Sequence, residues 1–155
     1  MKGRHRLFLL MTALGIFSSC NSERLFEEHQ GMELLHWAVQ DTVSFEVEGL
    51  DPQSAVPILN IRYNDTYAFH NLYVRYLLRD SLGTVLGDSL INVSLFDSKT
   101  GQPLGDGFGN IFTKHDTLPR ILTSVHPKLK IQFVQYMRKD ELEGIEAVGL
   151  KINKK

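Results

Sequence analysis

The sequence predicts an all-β fold, an antiparallel β-sandwich of the immunoglobulin-like or jelly-roll kind. Apolar and polar residues alternate over short stretches, turn residues recur about every 8 to 15 residues, and no long helical period is present beyond residue 40. We expect the sandwich domain to occupy residues 41–155. The alternation places strands at residues 43–47, 58–63, 72–79, 89–96, 128–137 and 145–153, with a short returning piece at 85–86.

The individual elements follow from local patterns. In the first strand Val43, Phe45 and Val47 alternate with polar residues, which is typical of a strand with one face in water. The strand at 72–79 carries apolar or aromatic groups on both faces, which indicates a central position in its sheet. Residues 97–101 read as a tight hairpin, in which the glycine supplies a positive φ.

The first 20 residues determine where the chain is delivered. Lys2, Arg4 and Arg6 form a positive head, an apolar run covers residues 7–17, and Cys20 closes the segment. This pattern indicates a signal peptide of residues 1–19, cleaved before a lipid-modified Cys20. The alternative is an ordinary secretory signal with an unmodified cysteine nearby. The apolar run is too short for a permanent membrane span, which takes roughly 20 residues.

Residues 20–40 are expected to form a lipidated tether of irregular or short helical structure. Its first half is polar and charged, and its second half gains apolar residues that should dock on the domain. Trp37 is the expected docking side chain, because aromatic residues bury the largest area.

Composition excludes several classes of function. Removal of residues 1–19 takes away three of the 17 basic residues and none of the 18 acidic ones, so the remainder has a net charge of about −4. A mildly acidic domain has no electrostatic reason to bind nucleic acid. Cys20 is the only cysteine, so with its sulfur acylated no disulfide or thiol nucleophile remains.

Searches for catalytic or ligand-binding motifs favour structural interpretations. Glu141 and Glu143 are paired carboxylates of the type a glycosidase uses, but they fall in a charged hairpin. His115 and His126 fit no recognised metal spacing. The glycine-rich stretch 105–109 lacks the ligands of a calcium loop or a phosphate loop, so we expect a structural turn. We therefore predict no enzyme activity, no cofactor and no metal.

An aromatic cluster provides one alternative function, carbohydrate binding by stacking on sugar rings. It comprises Tyr63, Tyr67, Phe69, Tyr73 and Tyr76. The plainer interpretation is that at least Tyr63 and Tyr76 face the core, since buried aromatics are ordinary in sandwiches.

An Asp, hydroxyl, apolar tripeptide occurs four times. It resembles the O-glycosylation acceptor of proteins exported by gliding bacteria and their relatives, and its hydroxyls are those of Thr42, Ser81, Ser89 and Thr117. The same tripeptide also arises where an Asx-turn leads into a strand.

Several segments in order carry a family resemblance. After the Ser-Ser-Cys20 ending and the strand at 41–45 come the glycine loop 105–111, Tyr136-Met137-Arg138, and the closing segment 142–152. This order resembles the gliding motility lipoprotein GldH family over nearly the whole chain. The glycine loop and the closing segment are its most specific parts.

The resemblance implies a lipid-anchored envelope protein needed for movement over surfaces and linked to the associated protein-secretion machinery. In a relative that does not glide it would serve envelope assembly or secretion. Only Cys20 transfers as a functional position. Because residues 21–24 lack an immediate acidic run, we expect an outer-membrane protein facing the periplasm. The predicted contacts with other motility or secretion proteins are Phe108 and Asn110 at the glycine loop, with Tyr67 and Phe69.

Overall fold

A computed structural model describes residues 23–119 and 125–155 of the protein, so the signal segment and Cys20 lie outside the described residues. Over these described residues the secondary structure is mostly strand, with one 3-10 turn at Glu33–Leu35. The strands are β1 (Arg24–Gly31), β2 (His36–Ala38), β3 (Val43–Leu50), β4 (Ala55–Asn64), β5 (Asn71–Asp80), β6 (Val85–Ser94), β7 (Asp106–Phe108), β8 (Ile111–Thr117), β9 (His126–Gln135), β10 (Glu141–Glu143) and β11 (Ile145–Lys154).

The strands form two facing antiparallel sheets. One has five strands in the order β1-β11-β4-β8-β7, and the other has four in the order β3-β9-β5-β6. A small ribbon of β10 and β2 lies beside them. The predicted antiparallel sandwich is confirmed.

The pairing of the eight long strands identifies the sandwich as a jelly roll. The first long strand pairs with the last, β1 with β11, and moving inward β3 pairs with β9, β4 with β8, and β5 with β6. The chain is thus one long folded ribbon. Rolling that ribbon brings β11 against β4 and β9 against β5, which closes two four-stranded layers.

The core lies between the two sheets and is densely aromatic. Phe133 of β9 stacks on Tyr76 of β5 at 5.7 Å between ring centroids and meets Phe45 of β3 edge-on at 6.2 Å. Trp37 is fully buried, and its indole N–H donates to the carbonyl of Asp41 at 2.8 Å, so its predicted docking is confirmed. Such packing supplies the apolar burial that stabilises a domain without disulfides.

The irregular or short helical structure expected for residues 20–40 is wrong for the first half of that segment. Arg24–Gly31 is not irregular or helical, because it forms the edge strand β1 and pairs with β11 along most of its length. Only Phe26 of this strand packs inward, edge-on to Phe45 at 6.3 Å. The five-stranded sheet therefore begins at Arg24 and not at the predicted boundary of residue 41.

Smaller corrections concern the second half of the chain. The pieces expected at 85–86 and 89–96 form one continuous strand, β6, and the strands β7 and β8 were not expected. Glu141 and Glu143 lie on the short strand β10, where both are exposed beside the buried Leu142. This placement supports a solvated charge cluster over a catalytic pair.

The sandwich has two ends with different contents. At the first, which we call the anchor end, the amide of Lys154 donates to the carbonyl of Glu23 at 2.5 Å and that of Lys155 to Ser54 at 2.6 Å. The connections 51–54 and 81–84 lie at this end. The opposite end, the far end, holds the connections 65–70, 95–105 and 136–140. In the parts of the chain that are described, no helix has the length and apolarity needed to cross a bilayer.

Candidate protein-interaction surface

The predicted contact residues of the glycine loop lie at the surface of the far end. Phe108 is 96% exposed at the turn between β7 and β8, and Asn110 is exposed beside it. The Asn110 side-chain amide approaches the carboxylate of Asp65 at 3.5 Å. The loop thus presents an aromatic ring to solvent at a defined place, which is the property a contact residue needs.

The prediction that Tyr67 is exposed for contact with a partner is wrong. Tyr67 is only 5% exposed, and its hydroxyl donates to the carbonyl of Asn71 at 2.9 Å. Burial raises the pKa of this phenol well above its ordinary value. The ring packs edge-on against Phe69, which is half-buried and keeps one side available to solvent. The connection 65–70 folds back on the core, which a loop sequence does not reveal.

The aromatic cluster proposed for sugar stacking does not form a continuous surface. Tyr63 and Tyr76 face the core, as the plainer interpretation predicted, and burial raises the pKa of Tyr76 to about 12. Only Phe69 and Tyr73 of the five predicted aromatics remain accessible.

A groove at the far end gathers these two with residues that the sequence search did not select. It has a volume of about 400 Å³ and is lined by Phe69, Tyr73, Tyr136, Met137, Arg138 and Lys139. Tyr136 is 58% exposed, and Arg138 and Lys139 are exposed at the margin. The groove is therefore an apolar and aromatic surface with a cationic rim.

Backbone hydrogen bonds fix the shape of this groove. The amide of Tyr136 donates to the carbonyl of Tyr73 at 2.8 Å, and the amide of Tyr73 meets the sulfur of Met137 at 3.3 Å. Gln135 is fully buried, accepts from the Met137 amide at 2.8 Å and donates to the carbonyl of Lys139 at 2.8 Å. The polar residue that interrupts the alternation of β9 thus holds the groove in place. That interruption, followed at once by an aromatic residue, was the signal available in the sequence.

The glycine loop is shaped by close backbone approach. A Cβ on Gly107 would lie 2.8 Å from Cα of Phe112, and one on Gly105 would lie 2.8 Å from the carbonyl carbon of Thr113. The Gly105 amide donates to the hydroxyl of Tyr63 at 3.1 Å. These contacts support the structural interpretation of the loop, because the neighbouring strand leaves no room for a side chain at Gly105 or Gly107.

The candidate metal ligands are separated. His115 lies on β8 of the five-stranded sheet, and His126 begins β9 of the other sheet. Among residues 23–119 and 125–155, no group of three His, Cys, Asp or Glu side chains could hold a metal ion. Nδ1–H of His115 instead donates to the side-chain oxygen of Asn60 at 2.7 Å, and the side-chain amide nitrogen of Asn60 lies 3.3 Å from Nε2 of His29.

The contacts between His29, Asn60 and His115 explain why the closing segment has a glycine at position 149. His29, Gly149, Asn60 and His115 are neighbours across β1, β11, β4 and β8. The ring of His29 covers Gly149, where a Cβ would lie 2.6 Å from its Nε2 atom. Gly149 therefore leaves the space in which His29 reaches toward Asn60.

The four hydroxyls of the repeated tripeptide differ in accessibility. Thr42, Ser81 and Thr117 are exposed, and Ser89 is half-buried within β6. The carboxylate of Asp80 accepts from the amides of residues 82 and 84, as the Asx-turn interpretation predicts for this copy of the tripeptide.

Comparisons with known proteins agree on one family. A family model described as GldH lipoprotein matches residues 24–152. The chain is 29% identical to the gliding motility lipoprotein GldH homolog of Christiangramia forsetii, with 99% of this chain and 98% of that protein covered. It is 28% identical to the gliding motility lipoprotein GldH of Flavobacterium johnsoniae, covering 100% and 99% respectively.

Similarity to solved structures is remote. The VP2 subviral particle of infectious bursal disease virus aligns at a TM-score of 0.36 and 14% identity, over 83% of this chain and 30% of that one. We base no argument on it.

Proposed function

Because the chain belongs to the GldH lipoprotein family, we propose that it is a non-enzymatic interaction domain of the gliding motility machinery, held in the cell envelope by acyl chains on Cys20. Signal removal at residue 19 leaves Cys20 as the first residue. The proposed site is the outer membrane, with the domain in the periplasm and its partners among motility and associated secretion proteins.

The groove at the far end is the observation that carries this proposal. It lies at the opposite end of the sandwich from Glu23, the described residue nearest to Cys20. Strands such as β4 have ten residues and so extend for about 33 Å. An anchor at one end therefore holds the groove away from the bilayer, where a periplasmic protein can reach it.

The groove has the composition of a binding hot spot. Tyr136 and Tyr73 supply rigid aromatic area, Met137 supplies an adaptable apolar side chain, and Arg138 provides a planar cation at the rim. Exposed Phe108 of the glycine loop lies at the same end and provides a second contact. We expect a partner that inserts apolar side chains and carries carboxylates around them.

Tethering makes a modest interface sufficient. Two proteins confined to one membrane surface meet at a high effective concentration, so a weak contact is occupied without a large buried area.

Complementation of a gene deletion tests the proposal. A Tyr136→Ala variant should accumulate at the normal level yet fail to restore spreading and secretion, because the groove loses its most exposed ring. Leu90→Ala is the matched control, since Leu90 is 53% exposed on the edge strand β6 and is not among the residues that line the groove. Full restoration by Tyr136→Ala would contradict the proposed surface.

A photo-crosslinking residue at the same two positions identifies the partner directly. Position 136 should trap an envelope protein and position 90 should not. Equal products at both positions would indicate random contacts.

The competing function is carbohydrate binding by the envelope lipoprotein. The accessible rings of Tyr73 and Tyr136 on one groove favour it, since paired aromatics stack on sugars. Glycan arrays with residues 21–155 separate the two functions. Binding that is lost in Tyr136→Ala would support the carbohydrate alternative.

We also propose O-glycosylation of one or more exposed hydroxyls among Thr42, Ser81 and Thr117, with Ser89 the least accessible of the four. The intact mass of the protein purified from its own envelope tests this. A mass equal to polypeptide plus lipid contradicts it.

A further inference from the structure

The anchor end carries apolar side chains that the fold does not use. Leu82 forms the tip of the β5-β6 hairpin and is 90% exposed, with exposed Val85 beside it. Leu25 and Val125 are also exposed at this end. A hairpin tip of this kind needs only Asp, Gly and polar residues to turn, so a leucine there has no structural reason.

The position of the lipid anchor places a bilayer at this end. Three residue steps separate Cys20 from Glu23, which span at most about 11 Å when extended. Glu23 is bonded through its carbonyl to Lys154, at the start of β1 and the end of β11. The ends of the sandwich strands nearest the acyl chains are therefore those from which the 81–84 connection projects.

The distance from the anchor side of the sandwich to the hairpin is similar to the length of chain between Cys20 and Glu23. Phe26 of β1 faces Phe45 of β3, and β5 lies two strands from β3, which is roughly 10 Å. The hairpin tip and the anchor thus stand side by side at one end of a small domain.

The hairpin tip is also prepared for an apolar environment. The carboxylate of Asp80 accepts from the amides of Leu82 at 2.9 Å and Thr84 at 2.8 Å, and the carbonyl of Asp80 accepts from the amide of Gly83 at 3.1 Å. The guanidinium of Arg79 donates to the carbonyl of Gly83 at 2.9 Å. These bonds satisfy the amides of residues 82–84 and the carbonyl of Gly83, which lowers the cost of removing water from this part of the backbone.

We propose that Leu82, at the tip of the β5-β6 hairpin, inserts into the interfacial layer of the same bilayer that holds the acyl chains of Cys20. The domain then stands upright on its anchor end with two points of attachment, and the far-end groove faces away from the membrane. This inference rests on the proposed acylation of Cys20. The occupant is a phospholipid surface and not a protein, because the anchor fixes that surface next to the tip.

Site-specific fluorescence on the full acylated lipoprotein tests the insertion. Acylation consumes the sulfur of Cys20, so an introduced cysteine is the single free thiol. Leu82→Cys carries an environment-sensitive nitrobenzoxadiazole label in vesicles of phosphatidylethanolamine and phosphatidylglycerol. Leu34→Cys is the matched control, since Leu34 is 88% exposed at the far end, where the neighbouring Leu35 carbonyl accepts from the amide of Gly144.

The label at position 82 should shift its emission to the blue and lose intensity when the vesicles contain spin-labelled lipid, whereas the label at position 34 should do neither. Flotation of both proteins with the vesicles, but no quenching at position 82, overturns the insertion and leaves the anchor intact. Failure of both to float overturns the anchor and the insertion together. A glycan mass located on Ser81 also overturns the insertion, because a hydrophilic chain next to Leu82 would hold the tip off the bilayer.

Discussion

The hydroxyl of Tyr63 connects the core to the glycine loop, and its removal in Tyr63→Phe is a sharp test of the fold. The ring is fully buried, and its hydroxyl donates to the carbonyl of Leu95 at 2.6 Å and accepts from the amide of Gly105 at 3.1 Å. Phenylalanine keeps the ring and removes both bonds. The change therefore isolates the hydroxyl from the packing of the aromatic ring.

Losing these two hydrogen bonds has different effects on the groups left behind. The carbonyl of Leu95 also accepts from the amide of Leu104 at 2.8 Å, so it stays bonded. The amide of Gly105 has its bond to Tyr63 alone among the described residues and is left without an acceptor in a half-buried position. A lost hydrogen bond and an unsatisfied partly buried donor together cost about 2 kcal/mol. For a domain of this size that lowers Tm by about 8 °C.

Thermal unfolding followed by circular dichroism measures the effect. Tyr136→Phe is the control, because Tyr136 is exposed and its variant should change the free energy of unfolding by less than about 0.5 kcal/mol. Amide exchange in β7 should also accelerate in Tyr63→Phe. A fall in Tm of less than about 2 °C would refute the hydrogen-bond argument.

Three further predictions follow from single side chains. Gly149→Ala should destabilise the protein by about 1 kcal/mol, because the ring of His29 covers Gly149. In a His29→Ala background the same change should stabilise the protein by about 0.5 kcal/mol. Urea unfolding measures both free-energy changes, and effects of the same sign would contradict the ring contact. Gly107→Ala should push β7 off β8, because the added Cβ would lie 2.8 Å from Cα of Phe112. Amide exchange should therefore accelerate in β7 and not in β4. Unchanged protection of β7 would show that the strand tolerates a Cβ. Hydrogen bonds from the amide and hydroxyl of Thr100 hold the pKa of Asp97 below its ordinary value of 3.8. The ionised carboxylate therefore stabilises this turn fully above pH 3.8, and the stabilisation is lost as the pH falls through the lowered pKa. A titration midpoint at or above 3.8, measured by NMR, would contradict this.

The sequence predicts the central strands because their burial imposes a pattern. In β5 the side chains of Leu72, Val74 and Tyr76 are all buried, and the two-sided apolar character that indicated a central strand agrees with its position between β9 and β6. The edge strand β1 gives no such pattern, since only Phe26 packs inward and its other residues face solvent. Burial is the signal, and an edge strand with a single inward side chain lacks it.

The choice between an immunoglobulin-like sandwich and a jelly roll depended on that same edge strand. The pairing of β1 with β11 is the outermost step of the folded ribbon, so the topology is incomplete without it. At the interaction surface, Phe108 could be selected because an aromatic residue among glycines has no local structural role. Tyr67 and Tyr136 could not be separated, because their exposure depends on how two loops fold back at the far end.

The pairing of the first strand with the last has a consequence for how the protein is made. β11 lies between β1 and β4 in its sheet and follows all the other described strands in chain order. β4 also pairs with β8, but β1 pairs with β11 alone in this sheet, so β1 stays unpaired until the chain through β11 has been made and early folding of the sheet edge is disfavoured. A truncation before Ile145 would therefore remove the strand between β1 and β4 and not a loose tail.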